Sequence, residues 1–148
     1  MIASVRRLIT AGAFAALTFA PAALRAQASA PDSLAFPRQF VKWVFTTQGD
    51  SAFAHAGPEL RGGMKSAQGV NDMSARIALR FGEMKGTDAE VQFDEGPLKV
   101  YIVVLRFSTA PEPGAFVVAY SPATQIAERA SFSSLTNVKA KYPQAKLP

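Results

Sequence analysis

Apolar and polar positions change their period near residue 86, which divides the chain into a helical part and a stranded part. Phe40, Val41, Val44 and Phe45 recur as one helical stripe, and Pro37 supplies a fixed φ suited to a first helical position. This predicts a first helix over 36–48, closed by Gln48-Gly49. Asp50 or Ser51 caps a short second helix that turns Phe53 and Ala54 inward and stops at Gly57-Pro58. Leu60 and Met64 fall in an irregular segment broken by Gly62-Gly63. Ser66 is the N-cap of the clearest helix, in which Val70, Met73, Ile77, Phe81 and Met84 follow at spacings of 3, 4, 4 and 3. Gly86 takes the left-handed closing position.

Beyond Gly86 the period is 2. Ala89, Val91 and Phe93 alternate with Glu90, Gln92 and Asp94, and Gly96-Pro97 turns the chain. Leu98 to Phe107 is apolar on both faces, as in a strand covered on both sides. Turns at Ala110–Gly114 and at Pro122-Ala123-Thr124 separate two further strands, Ala115 to Ser121 and Gln125 to Ser133. Short turns imply an antiparallel meander. Helices first and strands afterwards imply an α+β fold, with N-terminal helices packed on one face of a curved four-stranded antiparallel sheet. If Leu98, Val100, Ile102 and Val104 face those helices, then Tyr101, Val103, Leu105 and Phe107, extended by Phe116, Val118 and Tyr120, form an open apolar patch on the other face. A patch of that size seldom stays bare, so a homodimer through the outer sheet face is expected.

The first 28 residues read differently. A basic start (Arg6, Arg7), an apolar run from Leu8 to Ala20 and a small-residue exit at Ala26-Gln27-Ala28 have the form of a secretory signal, too short to span a bilayer as a helix. The expected organisation is a signal peptide over 1–28, a leader over 29–35, one domain over 36–135 and a basic C-terminal tail over 136–148. A periplasmic or secreted location follows, with no stable membrane span after cleavage. Composition fits one domain: of the 148 residues 49% are hydrophobic, enough to bury a core. The formal charge of +5 shrinks once the signal arginines are removed, because thirteen basic residues then face eleven acidic ones. Lys139, Lys141 and Lys146 in the tail carry the excess, so a nucleic-acid partner is not expected. No Cys is present and His55 is the only histidine, which excludes disulfides, thiolate metal sites and a cysteine nucleophile.

The order of Phe40-Val41-x-x-Val44-Phe45-x-x-x-Gly49-Asp50, a long helix ending in a Gly like Gly86, and a central strand Val100-Tyr101-Ile102-Val103-Val104 resembles a domain family of unknown function. That family belongs to the nuclear transport factor two-like (cystatin-like) superfamily, and the resemblance covers residues 36–135. It implies a cone-like, cystatin-like roll with a cavity between sheet and helices. Its motifs are packing motifs and bring no agreed catalytic residue; fold alone does not carry chemistry over. Gly62-Gly63 and Gln68-Gly69 depart from the family pattern.

Such a cavity is the default ligand site. Phe40, Val44, Phe53, Ile77 and Phe81, with Tyr101 and Tyr120 from the strands, are its expected lining, and a small apolar ligand its expected occupant. The other reading is that these side chains fill the interior completely. His55 oriented by Asp50 is a candidate base, although five residues do not place the two on one helix face. Tyr101 and Tyr120 can donate to an oxyanion with Asp94 or Glu90 as base, but acids opposite Val91 and Phe93 are also what a solvated strand face looks like. Asp88, Glu90, Asp94 and Glu95 form an acidic cluster without Ca²⁺-loop spacing, better read as a charged edge strand. Arg76, Arg80 and Arg106 make either an anion site or surface ion pairs. The leading reading is therefore an exported non-enzymatic domain that binds a small apolar ligand or a partner protein, with no metal, cofactor or catalytic residue assigned. An isomerase- or hydrolase-type enzyme in the cone and a self-associating envelope protein are the alternatives.

Overall fold

The computed structural model describes residues 32–148, so the signal read over 1–28 and the start of the leader lie outside the described residues. The chain runs α1 (Ala35–Phe45), α2 (Gly49–Ala54), α3 (Pro58–Met64), α4 (Ala67–Phe81), β1 (Met84–Glu95), β2 (Leu98–Phe107), β3 (Gly114–Ser121), β4 (Ile126–Ser134) and α5 (Leu135–Lys141), with a 3-10 turn over Pro143–Ala145. The four strands pair antiparallel in the order β1-β2-β3-β4, which is the expected meander and an α+β fold.

Helix α1 buries Phe36, Phe40, Val41 and Val44 along its stripe. It ends earlier than predicted because Thr47 turns at φ 59° and the Gln48 amide reaches back to the Trp43 carbonyl at 3.1 Å, a Schellman closure. A β-branched residue seldom takes that conformation, so nothing in the sequence marked it. Gly49 then opens α2 rather than closing α1. A Cβ there would strike the Ala67 carbonyl oxygen and the Asn71 side chain, whose Oδ1 accepts from the Gly49 amide at 3.1 Å. The glycine thus lets α2 lie directly on α4.

Residues 58–64, expected to be irregular, are helical. Pro58 occupies the first turn, and Ala56 forms a parallel bridge to Ala127 that fixes how the chain enters. Arg61 closes the preceding helix by donating to the Phe53 and Ala54 carbonyls at 3.1 and 2.8 Å. Ser66 caps α4 as predicted, its Oγ accepting from the Gly69 amide at 3.1 Å. The helix stops at Phe81, not at Gly86. Gly82 takes the closing position at φ 85°, where a Cβ would meet the Ser108 and Thr109 side chains. Met84 therefore begins β1, and Gly86 lies between two register shifts of that strand.

The two faces of the sheet are the reverse of the expected assignment. Tyr101, Val103, Leu105 and Phe107 pack with Phe116, Val118 and Tyr120 against α1, α2 and α4. Val100, Ile102, Val104, Ala115, Val117 and Ala119 form the opposite face. Residues 136–148, expected to be a solvated tail, are folded onto that face: α5 and the 3-10 turn bring Val138, Ala145 and Leu147 down on it, and Tyr142 meets Phe93 at 5.8 Å. Each valine, isoleucine or phenylalanine so buried contributes about 1.5–3 kcal/mol relative to exposure. The residues expected to form the open patch are thus covered by the helices, and the outer strand residues, at most 4% exposed, are covered by the chain's own C-terminus, so neither face shows the bare patch from which a homodimer was expected.

Candidate functional site

Packing on the helix side is incomplete. A cavity of about 520 Å³ lies between α1, α3, α4 and the last two strands, within the range of small-molecule sites. Phe40 and Val44 of α1 and Phe116 and Ala130 of the sheet form its apolar floor. Leu60 and Met64 of α3 and Met73 of α4 supply flexible apolar walls. Lys65, Asp72 and Arg76 stand at the rim.

Local structure explains why this corner stays open. The parallel bridge at Ala56 and Ala127 holds the start of α3 on β4, with the Ala127 amide donating to the His55 carbonyl at 2.8 Å. At its other end, Lys65 has φ 65° and ψ −39°, and the Ser66 amide donates to the Met64 carbonyl at 2.8 Å, a three-residue γ-turn of the rare, strained hand. Gly69 is required beneath it, because a Cβ there would strike the Met64 carbonyl oxygen. Helix α3 is thereby pinned at both ends. Gly63, which lines the cavity and whose Cβ position is empty, leaves space there that a larger residue would fill.

Two further hollows continue from this cavity. One of about 250 Å³ shares Met73 and Arg76 with it, and one of about 490 Å³ shares Arg80, Phe81 and Phe132 with the second. Together they make a trough along α4. Its far part rests on an aromatic cluster in which Phe132 meets Phe81 at 5.1 Å, Phe107 at 5.6 Å and Phe45 at 6.4 Å between ring centroids. Gly114 makes room for the Phe132 ring, which a Cβ would strike.

Of the residues named from sequence, Phe40 and Val44 line the main cavity, and Ile77 and Phe81 line the hollows beyond it. Phe53 lies instead under the Arg61 guanidinium, 5.3 Å from its ring centroid. Tyr101 and Tyr120 pack beneath the start of α1, where the Tyr120 hydroxyl donates to the Ser33 carbonyl at 3.0 Å and its ring meets Phe36 at 5.3 Å. Burial pushes the Tyr101 phenol well above its ordinary pKa, with Glu90 acting the same way and Arg38 opposing. Burial raises Tyr120 too. Leu60, Met64, Met73, Ala130 and Phe132 were not named as lining.

The candidate acid–base pairs are not assembled. His55 stacks on Trp43 at 4.6 Å, and its Nδ1 lies 2.9 Å from the Ser51 carbonyl oxygen. No hydrogen bond or ion pair among the described residues joins it to Asp50. Glu90 accepts from Arg38 at 2.8 Å, Asp94 from Lys99 at 2.7 Å, Glu95 from Arg129 at 2.8 Å, and Asp88 is paired with Arg106. The acidic strand is thus neutralised carboxylate by carboxylate. Arg106 projects from the outer side of β2, so it does not join Arg76 and Arg80, which stay on the helix side. Among the described residues no three His, Cys, Asp or Glu side chains form a metal-binding group, and no helix is long and apolar enough to cross a membrane. No protein-family model, curated protein or solved structure matches the chain.

Proposed function

We propose that this protein is an exported, non-enzymatic binding domain that holds a small apolar ligand between its helices and its sheet. The observation that carries the reading is the cavity of about 520 Å³ with a floor of Phe40, Val44, Phe116 and Ala130 and walls of Met64 and Met73. Apolar lining with a few polar groups at the rim is the usual composition of a ligand site. Methionine walls adapt to more than one ligand shape. In this reading the domain is a cone-like, cystatin-like roll, delivered to the periplasm or beyond by the signal over 1–28, and the ligand enters past α3.

The chemistry of the lining supports binding over turnover. The titratable groups at the cavity are Lys65, Asp72 and Arg76, all at its rim, whereas His55, Tyr101 and Tyr120 are engaged elsewhere in packing or hydrogen bonds. A partner protein on the outer sheet face is not favoured, because α5 and the 3-10 turn occupy that face.

Titration of residues 29–148 with the neutral fluorophore N-phenyl-1-naphthylamine tests the reading. The expected result is saturable enhancement with one probe per chain, abolished in Ala130→Trp, where an indole fills the cavity from β4. Enhancement that does not saturate, or that persists unchanged in a folded Ala130→Trp chain, would overturn it.

A further inference from the structure

The trough along α4 is apolar below and cationic at its edge. Arg76 and Arg80 stand one turn apart on α4, and Lys65 stands at the γ-turn facing the same cavity. Elsewhere Arg38, Lys85, Lys99, Arg106 and Arg129 hold carboxylates and Arg61 holds backbone carbonyls, while Lys42, Lys141 and Lys146 have no ion pair among the described residues but line no part of the trough. Among the described residues no carboxylate lies within 4.0 Å of the charged nitrogens of Lys65, Arg76 or Arg80. Asp72 is one turn from Arg76 and could have paired with it, yet its Oδ1 accepts from the Gln68 amide nitrogen at 2.8 Å. The guanidinium at the cavity mouth is left without an anion.

Shape adds to charge. The main cavity and the next hollow share Met73 and Arg76, and the second and third share Phe81 and Phe132, so the apolar floor is elongated rather than round. We infer that the ligand is a single-chain amphiphile with an anionic head, its aliphatic chain lying over Phe116 and Ala130 towards Phe132. Arg76 receives the head, assisted by Lys65. Arginine suits a carboxylate because its planar fork donates two parallel hydrogen bonds, and a rim position lets the head keep part of its water. This rests on the proposed binding function and adds to it the class of the ligand.

The test compares three probes of equal chain length, dodecanoate, dodecan-1-ol and dodecyltrimethylammonium, by calorimetric titration of residues 29–148, the two ions below their micellar concentrations and the alcohol below its solubility limit. Dodecanoate is expected to bind about tenfold more tightly than the alcohol, and added salt to weaken the carboxylate alone. The double variant Lys65→Gln with Arg76→Gln is expected to remove that preference, with thermal melting and far-ultraviolet circular dichroism showing that the variant is folded. Equal binding of alcohol and carboxylate, tighter binding of the ammonium, or a preference that survives the double variant would each overturn the head-group assignment and leave the apolar site standing. Failure of all three probes together with N-phenyl-1-naphthylamine would remove both.

Discussion

The two faces of one sheet are closed in different ways. The outer face carries valine, isoleucine and alanine from β2 and β3, and a single C-terminal segment of α5 and a 3-10 turn seals it. The inner face carries tyrosines and phenylalanines, and four helices cover it, yet about 520 Å³ remains open between them. Small branched side chains on neighbouring strands make a smooth surface that one short apolar segment can match. On the inner face the rings of Tyr101 and Tyr120 are packed closely under α1, whereas at the corner where α3 is pinned the helices leave a hollow over Phe116 and Ala130. The sealed face and the candidate site are thus opposite sides of the same strands.

The largest break of this comparison comes from removing the seal. A chain ending at Ser134 exposes Val100, Ile102, Val104 and Val117 together, at a cost comparable with the whole stability of a domain of this size. It is expected to be unfolded or self-associated, read by thermal melting and sedimentation; a monomer melting within a few degrees of the full chain would show that the C-terminus is not the cover. Phe132→Ala acts on the other face. It removes the ring shared by Phe45, Phe81 and Phe107 and is expected to cost about 3 kcal/mol in urea unfolding, the low end for phenylalanine because the ring is only half-buried. The same change enlarges the trough, so bulkier apolar probes should bind the variant better than the parent.

A smaller effect sharpens the contrast through pH. Tyr101 and Tyr120 lie on the inner face with phenol pKa values raised by burial, so the folded chain keeps protons that the unfolded chain releases. Their contribution is fully present below the unfolded tyrosine value of about 10 and is lost as pH rises beyond it, at up to about 1.4 kcal/mol per pH unit for each phenol. Tyr101→Phe should flatten the fall of stability above that pH, measured by urea unfolding at successive alkaline values. An unchanged slope would mean that the Tyr101 phenol ionises as freely in the folded chain as in the unfolded one.

Much of this architecture is legible in the sequence, and the failures have physical causes. The stripe of Phe40, Val41 and Val44, the Ser66 cap and the meander follow from spacing and turn residues. The faces of the sheet were inverted because β2 is apolar on both sides, and alternation alone cannot say which set meets the helices. Two signals bear on it: ring bulk, which belongs beside the larger helical layer, and Leu135, Val138, Tyr142, Ala145 and Leu147, an apolar series hidden among the tail lysines. The end of α1 was missed because a threonine occupies the closing position. At the candidate site, Phe40 and Val44 were legible as inward helix residues. Phe132 and Ala130 were not, because β4 carries an extra residue, Glu128, opposite the step from Ala119 to Tyr120 of β3, and that breaks its alternation. Leu60 and Met64 were lost with the helix that Gly62-Gly63 concealed.

Methionine methyl groups give the most direct test that the helix side of the sheet holds a ligand. Met64 and Met73 line the main cavity, while Met84 lies at the start of β1, away from it. With ¹³C-methyl methionine in residues 29–148, titration with dodecanoate is predicted to shift Met64 and Met73 together to a common saturation point and to leave Met84 in place. Shifts confined to Met84, or no saturable shift at Met64 and Met73, would contradict a ligand site between α3, α4 and the sheet.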